Sequence, residues 1–182
     1  MRYSGVILED IKNGPGLRVS LFVQGCDNHC IGCFNPETWD YETGGAGVWT
    51  KGKEDKIVSL TSKSYIDGLS LLGGDPLSIK KNIPGDNSIY DLVKRIKEEL
   101  PDKNIWCWSG YTMEEMLPDL LQNKEESIYN ALMYIDVLVD GRFDLTKKVP
   151  YLKWRGSSNQ RFIDVQESIK KESVVLCDKY ND

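Results

Sequence analysis

The sequence predicts an α/β fold built on a mostly parallel sheet, and three observations carry that expectation. Four short apolar runs each end in a glycine-bearing turn. Helical patterns with one apolar face lie between them. The runs themselves are near-continuously apolar, as strands covered on both faces are, rather than alternating.

Taken in order, "LRVSLFVQG" (Leu17 to Gly25) is apolar, β-branched and closed by glycine, which reads as a strand. The segment from Trp39 to Lys63 is glycine-rich and charged and reads as a long loop or lid, with room for a short amphipathic helix around Glu54 to Leu60. "IDGLSLLGGDP" (Ile66 to Pro76) is the second strand, stopped by Gly-Gly-Asp-Pro, and "KKNIPGDN" (Lys80 to Asn87) is a loop. "SIYDLVKRIKEEL" places Ile89, Leu92, Val93, Ile96 and Leu100 on one helical face, with Ser88 as N-cap and Pro101 closing it. "NIWCWSG" (Asn104 to Gly110) is the third strand. Thr112 and Glu115 then form a capping box, and Pro118 is expected to shorten or kink that helix. "YIDVLVDG" (Tyr134 to Gly141) is the fourth strand.

A chain of 182 residues buries one proper core, so a single domain over residues 1–182 is expected. The net charge of −5 argues against nucleic acid as a direct partner. One stretch runs against that balance. From Arg142 to Arg161, Arg142, Lys147, Lys148, Lys153, Arg155 and Arg161 face only Asp144. That is either a solvated basic face or an anion or partner site. No stretch approaches the roughly 18 apolar residues of a membrane span. The N-terminal "MRYSGVILEDIKNGPG" has a short apolar patch interrupted by Glu9 and Asp10, without a secretory pattern, so the cytoplasm is the expected location.

The chemistry concentrates in "GCDNHCIGC", where Cys26, Cys30 and Cys33 form a C-x3-C-x2-C run immediately after the first strand. Clustered cysteines in a cytosolic chain point to metal or redox chemistry rather than disulfides. Thiolates are soft ligands that suit zinc and iron–sulfur clusters. Zinc would need a fourth ligand, and His29 is poorly placed because its neighbour Cys30 is already committed. Cys107 and Cys177 sit in apolar runs and read as small buried hydrophobes. A four-iron cluster held by three cysteines instead leaves one iron open for a small molecule. In parallel α/β folds ligands bind beyond the carboxyl ends of the strands. The cysteine run, Gly73-Gly74-Asp75-Pro76, Trp108-Ser109-Gly110-Tyr111 and Asp140-Gly141-Arg142 all follow strands, so they are expected to converge.

These motifs resemble the radical S-adenosylmethionine (SAM) superfamily. C-x3-C-x2-C follows its first strand, and Gly73 to Pro76 resembles its G-G-E/D-P element. "NGPGLRVSLFVQGCDNHCIGCFNPETWD" narrows the likeness to the glycyl-radical-enzyme activases. "SLLGGDPL", "WSGY", "VLVDGRF", "RGSSNQR" and the short chain resemble the branch that acts on anaerobic ribonucleotide reductase rather than the larger pyruvate formate-lyase type. The blocks span about residues 14 to 161.

The resemblance implies a partial, open radical-SAM (β/α) barrel. It implies a [4Fe–4S] cluster on Cys26, Cys30 and Cys33, with the open iron bound by SAM. Reductive cleavage of SAM would give a 5′-deoxyadenosyl radical that takes hydrogen from a glycine of the large glycyl-radical subunit. A flavodoxin- or ferredoxin-like protein would supply the electron, and a second copy of the chain is a further candidate partner. Gly32, Cys33, Phe34, Gly73, Gly74, Asp75 and Ser109 would contact the cofactor. Each keeps a plainer reading beside it: Gly73 and Gly74 as a tight turn, Asp75 as a helix cap, Ser109 as a turn residue. Asp140 and Arg142 bind cofactor or pair with each other, and Asn159, Gln160 and Arg161 read the partner or order the mouth of the fold. Trp39, Trp106 and Trp154 read as core or rim aromatics. The family often has an aromatic just before the last cysteine; here Gly32 stands there and Phe34 follows, which leaves backbone contacts over Gly32 to Phe34 for the adenine. The competing readings are an activase of another glycyl-radical enzyme, of the pyruvate formate-lyase type, and a non-catalytic iron–sulfur or zinc-binding protein.

Overall fold

The computed structural model describes residues 1–78 and 88–181. The four strands read from sequence form the parallel centre of one seven-stranded sheet. They are β2 (Arg18–Val23), β4 (Gly68–Gly73), β5 (Asn104–Trp108) and β6 (Val137–Asp140). Antiparallel strands extend it on both sides: β1 (Arg2–Asp10) and β3 (Gly47–Val48) beyond β2, and β7 (Arg161–Asp164) beyond β6. The order is β3-β1-β2-β4-β5-β6-β7. The fold is thus mixed α/β with a parallel centre and antiparallel margins.

Among the described residues four α-helices accompany the sheet: α1 (Lys51–Thr61), α2 (Ser88–Glu99), α3 (Met113–Asn123) and α4 (Val165–Lys171). α1 is longer than the sequence suggested, because the Thr50 hydroxyl accepts from the Lys53 N–H and starts the helix a turn earlier. α2 buries Ile89, Leu92, Val93 and Ile96 as expected, with Ser88 as its first helical residue. At α3 the Thr112 N–H donates to the Glu115 carboxylate at 2.6 Å. The helix continues through Pro118 to Asn123, so proline removes one backbone donor without ending it. The loop expected over Lys80 to Asn87 lies outside the described residues.

Strand alternation divides the sheet's side chains between two faces. Val19, Leu21, Leu69, Leu71, Ile105, Cys107 and Leu138 join the main core with α1, α2 and α3. On the other face Trp106, Val137, Val139 and Phe162 form a second cluster, against which Trp154, Cys177 and Tyr180 pack. Cys107 is fully buried, in keeping with its reading as a small hydrophobe.

Arg18 is also fully buried, with its guanidinium 5.7 Å from the Trp106 ring. It donates to Ser70 Oγ and Asn104 Oδ1 at 2.7 Å each and to the Leu69 carbonyl at 2.8 Å. Burial pushes its pKa down to about 10, so the group stays charged at neutral pH. One side chain thereby ties β2, β4 and β5 together at the end away from the cysteine loop. Arg18→Ala is expected to cost about 4 kcal/mol in urea unfolding, from the cavity and the stranded acceptors.

Candidate cluster and cofactor site

The site is assembled by backbone contacts at the carboxyl ends of β2 and β4. The Gly74 N–H donates to the Val23 carbonyl and the Asp75 N–H to the Gly25 carbonyl, each at 2.8 Å. The Gly-Gly-Asp-Pro turn is therefore bonded directly to the residue that precedes Cys26. The returning chain closes the loop: Gly25 N–H donates to Thr38 O at 2.6 Å and Cys26 N–H to Trp39 O at 3.0 Å. A Cβ on Gly74 would stand 2.3 Å from the Gly25 carbonyl oxygen, and one on Gly73 2.6 Å from Val23 N. The glycine pair is thus demanded first by the closeness of the two loops.

Cys26, Cys30 and Cys33 line one cavity of about 140 Å³ together with Phe34, Gly73, Gly74, Asp75 and Ser109. Eight of the nine residues expected to hold cluster or cofactor are brought together. Gly32 is the exception; it turns away at φ +75° with the Leu145 side chain 3.2 Å from where its Cβ would lie. A neighbouring cavity of about 460 Å³ shares Phe34, Gly73 and Gly74 and continues past Trp108, Phe143 and Trp154. That volume falls in the range of small-molecule sites.

Asp75, only 1 % exposed, is the hub of the site. Its Oδ2 accepts from Asn28 Nδ2 at 2.8 Å, Gly110 N–H at 2.9 Å and Ser109 Oγ at 3.1 Å. Its Oδ1 accepts from the Leu77 N–H at 3.0 Å. The carboxylate thus holds the ends of β4 and β5 and the cysteine loop in register. Ser109 also accepts from the Tyr111 N–H at 3.1 Å, so its hydroxyl serves the local turn while it lines the cavity.

Burial, and next the Asp75 carboxylate, push the Cys26 thiol upward, against the hydrogen bonds from Asn28. Burial raises Cys30 as well. Among the described residues no three ligating side chains stand close enough to hold a single metal ion, but three thiols lining one cavity are a soft donor set of the kind an iron–sulfur cluster takes. His29 stacks on Trp39 at 4.7 Å between ring centroids and does not line the cavity.

The residues beyond β6 order the mouth. Asp140 is buried and pairs with Arg161 rather than with Arg142, and its Oδ2 accepts from the Met113 N–H at the start of α3. Arg161 reaches Glu114 as well at 2.6 Å, Arg142 reaches Glu115 at 3.2 Å, and Lys147 reaches Asp144 at 3.4 Å. Acids from α3 and β6 thus neutralise two of the six basic residues, and Asp144 within the stretch pairs a third. Gln160 donates to the Gly141 carbonyl and accepts from the Gly156 and Ser157 N–H groups. Sequence reasoning left Gln160 open, placed Gly110 only as part of a converging turn, and gave Asn28 and Phe143 no role, though all lie at the cavity. Only Asn28 carried a local signal, an amide donor inside the cysteine run.

The profile of the family described as "4Fe-4S single cluster domain" matches residues 12–163. The chain belongs to that family. The matched span contains the whole cavity and ends at β7, leaving Cys177 outside it. Among the relatives, the anaerobic ribonucleoside-triphosphate reductase-activating protein of Vibrio cholerae serotype O1 is 43 % identical over 162 residues, covering 88 % of this chain and 96 % of its own. The protein of that name from Escherichia coli K12 is 43 % identical with the same coverage. The one from Enterobacteria phage T4 is 41 % identical over 88 % of this chain and 92 % of its own. For a 4Fe-4S family member the donor set fits: Cys26, Cys30 and Cys33 lie at one cavity, whereas Cys107 is buried on the helix-covered face.

Proposed function

We propose that this chain is a radical-SAM activase that generates a glycyl radical on the large subunit of anaerobic ribonucleotide reductase. The observation that carries the reading is the convergence of three thiols with the Gly73-Gly74-Asp75 turn and the β5 end on one cavity. The relatives, which are named as activating proteins of that reductase, support it.

Cys26, Cys30 and Cys33 would hold a [4Fe–4S] cluster, with SAM as the cofactor bound beside it. When bound, the pair supplies one-electron cleavage of the sulfonium and, from it, a hydrogen-abstracting carbon radical. Gly73, Gly74, Asp75, Ser109 and the Gly32 to Phe34 backbone flank the cofactor. Asp75, whose oxygens are already engaged by four protein donors, acts by fixing the loops around SAM. Trp108, Phe143 and Phe34 line the larger cavity and give it apolar walls. The parallel centre and its antiparallel margins support a reading as a partial, open (β/α) barrel in a single domain over residues 1–182, open so that a loop of the partner can enter. The chain works in the cytoplasm with a flavodoxin- or ferredoxin-like donor, and a second copy is a further partner. Among the described residues no helix is long and apolar enough to cross a membrane.

Anaerobic reconstitution with iron and sulfide, then dithionite and SAM, tests this directly. Formation of 5′-deoxyadenosine is expected, and a glycyl EPR doublet on adding the reductase subunit. A full cluster without 5′-deoxyadenosine would favour a non-catalytic iron–sulfur protein. A doublet only with another glycyl-radical enzyme would reassign the partner.

A further inference from the structure

Asn28 lies between two parts of the site and touches both. Its backbone N–H donates to Cys26 Sγ at 3.4 Å, and its side-chain Nδ2 stands 3.7 Å from the same sulfur, within range for a sulfur acceptor. The same nitrogen is 2.8 Å from Asp75 Oδ2. A carboxylate is acceptor-only, so it fixes which end of the amide is which: the NH2 faces inward, one hydrogen to Asp75 and the other toward sulfur. The amide also has no room to swing. A Cβ on Gly110 would lie 2.4 Å from Nδ2 and 2.5 Å from Cγ, so the side chain occupies the space a larger residue would take. Asp75 is itself held by Ser109 and Gly110, which makes the donor position rigid.

We propose that Asn28 is a positioning residue that aims Cys26 and withdraws electron density from its sulfur, setting the reduction potential of the cluster. The inference rests on the reading of Cys26 as a cluster ligand. A hydrogen bond to a ligating sulfur stabilises the more negatively charged, reduced cluster and so raises its potential. Asn28 supplies two such donors, one of them removable by mutation.

The test is an anaerobic redox titration of reconstituted wild type, Asn28→Ala and Asn28→Asp, read by EPR of the reduced cluster. Asn28→Ala is expected to shift the midpoint to more negative potential, and Asn28→Asp at least as far, since it also sets a carboxylate against Asp75. Gly110→Ala keeps the amide but displaces it, and the same direction of shift is expected; it stands in if the Asn28 variants hold too little iron to titrate. A midpoint unchanged from wild type in Asn28→Ala, or in Gly110→Ala where it stands in, overturns the proposal while leaving the cluster assignment intact. A wild-type chain that takes up no cluster overturns the assignment and the proposal together.

Discussion

Cys33→Ala is expected to lose both the cluster's absorbance and 5′-deoxyadenosine formation, and Cys26→Ala and Cys30→Ala to do the same. The loss should exceed the roughly 10- to 100-fold that outer-shell changes cost at metal sites, because a first ligand is removed. Only three thiols border the cavity, so no spare donor is at hand there. Cys107→Ala separates this from general damage. Its sulfur is fully buried among core side chains on the helix-covered face. Its replacement should cost about 1 kcal/mol of stability, below the larger truncations of core residues, and leave iron content at the wild-type level. Iron and sulfide analysis beside urea unfolding would separate the two classes of cysteine. Cluster loss in Cys107→Ala would overturn the three-ligand assignment.

How much of this was readable beforehand follows from which signals are local. The strands β2, β4, β5 and β6 were legible because each is buried on both faces and ends in a turn glycine. Their shared direction then placed Cys26, Gly73 and Ser109 at one end of the sheet. β1 was not legible: its Val6, Ile7 and Leu8 are 36–49 % exposed, so no burial pattern marks them, and Glu9 and Asp10 interrupt the run. β7 is four residues of an antiparallel margin, with no turn glycine to end it. The capping box at Thr112 and Glu115 was legible because it is local, and so were the buried positions of α2. Asp75 could be named as a site residue but not given its role. Its donors come from Asn28, 47 positions earlier, and from Gly110, 35 positions later, a pairing that exists only once β2, β4 and β5 lie side by side. The pairing of Asp140 with Arg161 rather than Arg142 depends in the same way on β7 running antiparallel to β6.

Gly74→Ala is expected to damage the site severely for a single added methyl group. The new Cβ would meet the backbone of Gly25 at 2.3 Å from its oxygen and 2.8 Å from its carbonyl carbon. No flexible side chain is there to yield, so either the turn or the segment leading into Cys26 must move. Overpacking of this kind costs about 1–3 kcal/mol. The Gly74 N–H bond to Val23 and the Asp75 N–H bond to Gly25 are strained by the same displacement. A displacement approaching an ångström between the cysteine loop and the Gly-Gly-Asp-Pro turn would misalign cluster and cofactor, an error worth on the order of 100-fold in rate. Gly52→Ala in α1 is the matched control. Nothing lies within 4 Å of its Cβ position and its φ is ordinary for a helix, so alanine there should stabilise by about 0.5–1 kcal/mol. Equal cluster content in both variants, with 5′-deoxyadenosine formation lost only in Gly74→Ala, is the outcome expected if the glycine pair serves the alignment of the two loops. Wild-type turnover in Gly74→Ala would mean that the loops tolerate separation, and that their close contact belongs to the fold rather than to the chemistry.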